Sequence, residues 1–157
     1  MLEGAGVGGV SLYAKNTSVP VERSETEIKR TLQKYGADKI GIMTEPSKAT
    51  IYFRVNERDV QLVIPLVLKG AKAPGKNKTW TESGAEGETR RRWRVMVLTL
   101  KAMLEAVASE ITTFDQVFLA HVVIPGTGRT IGEALVPKLP ALYKGSSLSA
   151  LLAENPQ

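Results

Sequence analysis

Hydrophobic residues recur at helical spacing in the first third of the chain. Ile28, Leu32 and Tyr35 lie three or four residues apart and are separated by polar positions. Ser24 precedes Glu27 by three residues, which is the spacing of a capping box at a helix start. The pattern therefore predicts a first helix that begins at Ser24.

A longer stripe with the same spacing predicts the helix at the centre of the core. It extends from about residue 88 to residue 111, and further apolar positions widen it to more than half of the helix circumference. Beyond it, Thr112 or Thr113, and further on Thr130, precede short apolar runs and can cap short C-terminal helices. The members of the central stripe are Trp93, Met96, Leu100, Leu104, Val107 and Ile111.

Between the two helices the hydrophobic positions alternate with polar ones, which is typical of strands. Alternating runs at 40–42, 51–55 and 60–64 are separated by turn residues at 45–47 and 56–59. These runs predict a three-stranded antiparallel β-meander with one apolar face. We expect an α+β fold in which the meander packs in two layers on the long central helix, with short C-terminal helices. The other face of the sheet carries Tyr52, Arg54, Arg58 and Gln61.

The same patterns divide the chain into segments. Residues 1–20 are rich in glycine and predict a flexible arm, whereas residues 21–145 read as a single α+β domain. Residues 146–157 form an expected C-terminal tail. Inside the domain, residues 69–88 have no apolar period and many glycines, so we expect a mobile basic loop there.

Composition removes several kinds of chemistry. The 157 residues include no cysteine and one histidine, His121, so thiol catalysis, thiolate zinc sites and multi-histidine metal sites within one subunit are excluded. No nucleophile, carboxylate pair or metal-ligand spacing accompanies His121, which favours a structural role for it. We therefore expect a protein that is not an enzyme and that needs no cofactor and no metal.

The chain also lacks an evident targeting or membrane segment. Its longest uncharged apolar stretches, such as residues 60–68, are much shorter than the roughly 20 residues that span a bilayer. The glycine-rich start has neither the basic region nor the apolar core of a signal peptide. We expect a cytoplasmic protein without a membrane partner.

Charge points to an anionic partner. The chain has 21 Lys and Arg against 16 Asp and Glu, a formal net charge of +5. Basic residues flank the expected loop and its single aromatic residue, and two more candidates lie on the polar face of the sheet. The candidate nucleic-acid-binding residues are Lys69, Lys72, Lys76, Lys78, Trp80, Arg90, Arg91, Arg92 and Arg94, with Arg54 and Tyr52 on the sheet.

Two interpretations of these residues remain open. If the central helix begins near residue 88, the arginines lie at its N-terminus, where a bound phosphate meets both the cations and the free backbone N–H groups. Alternatively, Glu82, Glu86 and Glu88 neutralise them. Trp80 can likewise stack on an unpaired base, or it can fold over the core as a lid.

Four stretches of the sequence carry a resemblance to known proteins: Thr17–Ser24, Arg91–Arg94, Leu100–Val107, and Phe118–His121 with Gly128–Glu133. They resemble a family of small bacteriophage and prophage proteins. The resemblance covers most of residues 17–135 and implies a phage origin, but it implies no activity and no catalytic residues. At the level of fold alone, a β-sheet packed on one long helix is similar to the core of phage single-strand annealing proteins of the Erf and Redβ kind.

These observations together favour a phage protein that binds nucleic acid, with single-stranded DNA preferred, in replication or recombination. The alternative is a protein–protein interaction module, either a virion accessory part or an inhibitor of a host factor. An enzyme is the third choice. Self-association is also expected if apolar residues of the C-terminal segment find a neighbouring subunit rather than their own core; these are Leu142, Leu148, Leu151 and Leu152.

Overall fold

In the computed structural model, residues 12–153 are described, and they form the predicted α+β fold. The expected arm of residues 1–20 and the expected tail of residues 146–157 lie partly outside this range. The helices and strands are α1 (Val21–Lys34), β1 (Lys39–Glu45), β2 (Lys48–Val55), β3 (Arg58–Pro65), α2 (Glu82–Ala108), α3 (Phe114–Phe118), α4 (Ile131–Leu135), α5 (Leu139–Tyr143) and α6 (Leu148–Leu152).

The three strands form an antiparallel meander in the order β1-β2-β3, as the alternating pattern predicts. Two-residue turns join them, at Pro46–Ser47 and at Asn56–Glu57. The second turn has positive φ at both residues, 49° and 61°. This is the backbone of a type I′ turn, whose twist matches that of the paired strands.

One face of the sheet, together with α1 and α2, encloses the core. α2 contributes Trp93, Val97, Leu100 and Leu104, and the side chain of Trp93 is 1% exposed. α3 adds Phe118, which meets Phe53 of β2 edge to face with ring centroids 5.7 Å apart. The buried residues of the sheet and of α1 are Ala49, Ile51, Phe53, Val55, Val60, Leu62, Ile64, Ile28 and Leu32.

The long helix begins and ends earlier than the stripe predicts. α2 starts after Thr81, whose side chain accepts a hydrogen bond from the Gly84 N–H at 3.1 Å, and it ends at Ala108. Its first two turns bury one residue, Ala85, and contain no large apolar side chain, so they show no apolar period. Ile111 lies beyond the end of the helix and is 80% exposed.

The predicted capping box at the start of α1 is wrong. The helix begins at Val21, and Pro20 before it has an extended backbone and no capping side chain. Ser24 is instead buried inside the first helical turns, where Arg94 of α2 donates to its hydroxyl at 3.4 Å. The spacing of Ser24 and Glu27 is thus explained by the contact between α1 and α2, not by a helix cap.

The C-terminal third pairs with the start of β3 at one edge of the sheet. Val122 bridges to Val60 of β3, and the Val123 N–H donates to the Asp59 carbonyl at 2.8 Å. Thr113 and Thr130 each form a complete capping box, so Thr130 is confirmed as a helix start and Thr113, not Thr112, caps the helix that follows α2. Among residues 12–153, no helix is both long enough and apolar enough to cross a bilayer.

The segment expected to mediate self-association is only partly docked on its own subunit. Leu151 is buried, and its carbonyl accepts a hydrogen bond from the Lys138 amino group at 3.0 Å. Leu142, Leu148 and Leu152 remain exposed. Packing on the same subunit therefore buries only one of the four leucines.

The turn between β2 and β3 generates a stability prediction. Glu57 adopts positive φ, which is unfavourable for a residue with a Cβ, so Glu57→Gly relieves the strain and creates an Asn-Gly pair suited to a type I′ turn. We expect a net gain of about 0.5 kcal/mol in the free energy of unfolding, because the added freedom of the unfolded chain offsets part of the benefit. Urea denaturation measures the change.

Glu57→Ala is the matched control, because alanine removes the charge and keeps the strain. Equal stability of the two variants would show that the side-chain charge, not the backbone, determines the effect.

Candidate nucleic-acid interface

The expected loop at 69–88 is in fact a short hairpin followed by the start of α2. Trp80 pairs with the opposite strand of this hairpin: its carbonyl accepts from the Gly70 N–H, and its N–H donates to the Ala71 carbonyl, both at 2.8 Å. The Ala73 N–H donates to the Lys78 carbonyl at 2.9 Å. We call residues 70–80 the basic hairpin. The predicted loop bounds are therefore wrong, because residues 82–88 belong to α2.

The basic hairpin presents lysines to solvent. Lys72, Lys76 and Lys78 are exposed, and none of them forms an ion pair within residues 12–153. At the tip, Gly75 has a φ of 110°, and the aliphatic part of Lys78 lies against it. Lys69, just before the hairpin, is equally exposed and has Glu82 at 3.6 Å. Such an exposed pair contributes little to stability and leaves Lys69 available to another anion.

Trp80 stands at the junction between the basic hairpin and α2. Its side chain is half-buried, and its six-membered ring passes so close to Gly84 that a Cβ there would lie 3.3 Å from the ring. Gly84 is therefore the residue that lets the indole rest on the helix start. Trp80 lies over this surface position and not over the main core, since no core residue surrounds it.

A groove runs between the basic hairpin, the start of α2 and the segment before α1. Its volume is about 880 Å³. We call it the basic groove; among its lining residues are Lys15, Lys72, Trp80, Glu88, Arg91 and Arg92. The structure thus brings together four of the predicted site residues, Lys72, Trp80, Arg91 and Arg92.

One carboxylate organises the two arginines of the basic groove. Arg91 donates to both oxygens of Glu88 at 2.8 Å, and Arg92 donates from Nε at 2.9 Å. Arg92 also donates to the carbonyl of Pro65, at the end of β3, at 2.8 Å. The Glu88 side chain is only 13% exposed, and the hydrogen bond from Arg91 holds its pKa below the usual range.

The expectation that these two arginines lie at the N-terminus of the central helix is wrong. Arg91 and Arg92 lie in the third turn of α2, so the free N–H groups of the helix start are not beside them. Arg91 and Arg92 instead fit the alternative interpretation, in which a carboxylate neutralises them. The carboxylate is Glu88, whereas Glu82 pairs with Lys69.

Arg94 and Arg90 lie outside the basic groove. Arg94 donates to Glu27 of α1 at 2.6 Å, and Lys101 pairs with the other oxygen of the same carboxylate. These hydrogen bonds, first that of Arg94, lower the pKa of Glu27 from 4.5 to about 2. Arg90 donates to the Thr17 carbonyl at 3.4 Å and lines a separate groove.

The two candidates on the sheet also stand apart from the basic groove. Tyr52 is exposed on the polar face, as expected, and lines a shallow pocket with Gly41 and Gln61. Arg54 lies 3.7 Å from Asp59 of the neighbouring strand. Neither residue lines the basic groove.

His121 ends the short 3₁₀ turn that follows α3 and is half-buried. Burial lowers its pKa, which favours the neutral ring. Its surroundings in residues 12–153 include no cluster of carboxylates that could hold a metal with it.

Sequence reasoning named Glu88 among the carboxylates that could neutralise the arginines, but it missed Lys15. Glu88 precedes Arg91 by three residues and Arg92 by four, the spacing at which side chains meet on a helix. Lys15 reaches the groove through the tertiary fold, and no local pattern indicates that contact.

No protein-family model, no curated protein and no solved structure matches this chain.

The contact of Glu27 with Arg94 and Lys101 generates a prediction about pH. Because its folded pKa is depressed, Glu27 contributes stability above its ordinary pKa of 4.5, and that contribution disappears as pH falls toward 2. Glu27→Gln should therefore destabilise the protein at pH 7, by about 2 kcal/mol after allowance for partial exposure, and the difference should shrink between about pH 5 and pH 2.

Thermal denaturation across this pH range measures the effect. Glu25→Gln is the control, because Glu25 is on the same helix and forms no ion pair within the described part of the chain. A destabilisation by Glu27→Gln that did not change with pH would contradict the assigned ion pairs.

Proposed function

We propose that this chain binds single-stranded nucleic acid, DNA in preference, in the basic groove. The observation that carries the proposal is the position of Trp80: a half-buried aromatic ring lies in one groove with Lys72, Arg91 and Arg92. Single-strand binding has two components: cations that follow the phosphate backbone, and an aromatic ring on which bases stack.

The lysines of the basic hairpin supply the electrostatic part of this function. Lys72, Lys76 and Lys78 have no carboxylate partner within residues 12–153, so a phosphate that approaches them displaces only water and counterions. Release of condensed counterions makes such binding favourable at low salt and weak at high salt. Lys69 extends the same charge toward the start of α2.

Arg91 and Arg92 supply orientation. Glu88 uses some N–H groups of each guanidinium and leaves the remaining ones for another acceptor. A guanidinium already held in place loses less conformational entropy when it binds a phosphate. The Glu88 charge opposes the anion, so these arginines contribute position more than net attraction.

Trp80 accounts for the preference for a single strand. Its indole already rests on Gly84, so it can stack only on a base that is itself unstacked from a duplex. Stacking is tolerant of sequence because every base has an aromatic face. The proposed activity is therefore binding without sequence preference and without chemistry.

The proposed setting is phage replication or recombination in the host cytoplasm, where single strands arise. Annealing of complementary strands is a refinement: a protein that holds a strand by its backbone and a few stacked bases leaves other bases free to pair. Faster duplex formation on mixing complementary strands would support this refinement. An inert mixture would remove it and leave binding intact.

A protein–protein interaction module is the second candidate, and one observation favours it. Apolar side chains are exposed on the C-terminal helices, and Tyr143 is 90% exposed. Such a surface suits a protein partner better than a nucleic acid. Failure to retain any DNA or RNA in filter binding at low salt would favour this candidate over nucleic-acid binding; the other exposed residues are Val136, Leu139, Leu142, Leu148 and Leu152.

The electrostatic part is tested by removing the hairpin charges. A triple variant with glutamine at Lys72, Lys76 and Lys78 should bind an oligonucleotide more weakly and reduce the log–log salt slope by up to about three, roughly one for each lost phosphate contact. Titration of a fluorescent single strand at several salt concentrations measures both quantities.

A matched triple variant on α1 removes the same charge from another exposed surface. Glutamine at Lys29, Arg30 and Lys34 should leave the slope nearly unchanged, because none of these residues lines the basic groove. Equal slopes for the two triple variants would show that only net charge matters and that the groove is not the site.

The stacking part is tested at Trp80. Trp80→Ala should lower single-strand affinity about tenfold, in line with the loss of one base stack, and should leave the salt slope intact because stacking releases no counterions. Trp80→Phe is the control that keeps an aromatic face, and it should retain most of the affinity. Quenching of the indole fluorescence by the oligonucleotide is expected in the parent protein, although Trp93 contributes a constant buried background.

A Trp80→Ala variant that binds as tightly as the parent would overturn the stacking assignment. A circular dichroism spectrum equal to that of the parent establishes that the variant is folded, which the surface position of Trp80 makes the expected result.

A further inference from the structure

The two edges of the sheet differ: the start of β3 is paired with the C-terminal third, and β1 is open. Val122 and Val123 pair with β3, whereas β1 pairs only with β2 among residues 12–153. No residue of β1 is buried, although the strand carries Ile40, Ile42 and Met43. β1 therefore presents unpaired backbone groups and partly exposed apolar side chains along the same edge.

The turn between β1 and β2 determines which backbone groups face the open edge. The two-residue turn closes on Glu45 and Lys48, which are opposite each other. The residues that close a two-residue hairpin form a hydrogen-bonded pair, so the odd-numbered residues of β1 bond to β2. Ile40, Ile42 and Thr44 consequently direct their N–H and C=O groups outward.

We propose that the open edge binds β1 of a second copy of this chain, antiparallel and around a two-fold axis at Ile42. In this register Ile42 is opposite Ile42 of the second copy, and Ile40 is opposite Thr44. All the outward N–H and C=O groups of the strand then find partners. The two three-stranded sheets become one continuous sheet.

The charged residues at the two ends of β1 favour the same register, independently of the backbone hydrogen bonds. Lys39 lies opposite Glu45 of the second copy, once at each end of the paired strands, and Gly41 leaves room for the opposing Met43. These are non-hydrogen-bonded pairs, in which the side chains approach each other most closely. A shift by two residues places Lys39 opposite Met43 or Ser47, and a parallel arrangement aligns like charges.

The contacts that Lys39 and Glu45 already make within one subunit compete only weakly with pairing to a second copy. Glu45 has Lys48 at 3.3 Å, and both side chains are about half exposed, so that ion pair is weak. Lys39 has no carboxylate within salt-bridge distance in the described residues, and Arg54 is its neighbour on β2. Each charge therefore gains from the opposing charge of a second copy.

This inference is independent of nucleic-acid binding, since β1 contributes no residue to the basic groove. The interface is a single strand pair with little area, so the dimer should be weak and concentration-dependent. Sedimentation of the full chain between about 10 and 200 μM should show a reversible monomer–dimer equilibrium.

Charge reversal tests the register. Lys39→Glu and Glu45→Lys should each raise the dissociation constant of the dimer about tenfold, because each creates like charges at both ends of the strand pair. The double variant Lys39→Glu with Glu45→Lys restores opposite charges and should return to within about threefold of the parent. Glu57→Lys, in the exposed turn between β2 and β3, reverses a charge away from β1 and should have no effect.

Amide hydrogen exchange of the unmodified protein gives a second readout that does not depend on any variant. The N–H groups of Ile40, Ile42 and Thr44 should gain protection as concentration rises, whereas those of Gly41 and Met43 should be protected at all concentrations. A chain that stays monomeric up to 200 μM would overturn the proposal. So would a dimer that ignores charge reversal, or one that protects only the C-terminal helices, which would assign self-association to the exposed leucines.

Discussion

The buried stripe of α2 is the constraint on which the rest of the structure depends. Trp93, Val97, Leu100 and Leu104 lie on one face of the helix and fill the space between the sheet and α1. Burial of large side chains of this kind contributes about 1.5 to 3 kcal/mol each relative to exposure. Because these residues lie beyond the first three turns of α2, the start of the helix extends past the core, where Trp80 and Glu88 line the basic groove.

The distribution of ion pairs follows from the same geometry. Arg94 faces α1 and is paired with Glu27, and Arg91 and Arg92 share Glu88. Of the four arginines at positions 90, 91, 92 and 94, three pair with a carboxylate, two of them with the same one, and Arg90 has no salt-bridge partner among residues 12–153. The lysines of the basic hairpin are flexible point charges, whereas Arg91, Arg92 and Arg94 are held in place by Glu88 and Glu27.

The sequence predicts the fold well where the pattern is local. Alternation over 40–64 identifies the strands and their turns, and the capping residues Thr113 and Thr130 identify two helix starts. It fails at residues 82–88, where two glycines and a solvated surface hide a helix that begins with a side-chain cap at Thr81. A Cβ at Gly84 would lie 3.0 Å from the Thr81 hydroxyl and 3.3 Å from the Trp80 ring, so glycine suits this position although it disfavours a helix.

The candidate site is predictable only in part for a similar reason. Charge and the single aromatic residue of the segment identify Lys72, Trp80 and the arginines, but only tertiary structure brings Lys15 to them and places Arg94, Arg54 and Tyr52 elsewhere. The basic groove and the open edge of β1 also belong to different parts of the fold. A two-fold dimer formed through β1 would therefore keep both grooves free. Two grooves on one long strand would bind with higher avidity than one, because the second contact is made at a high effective concentration.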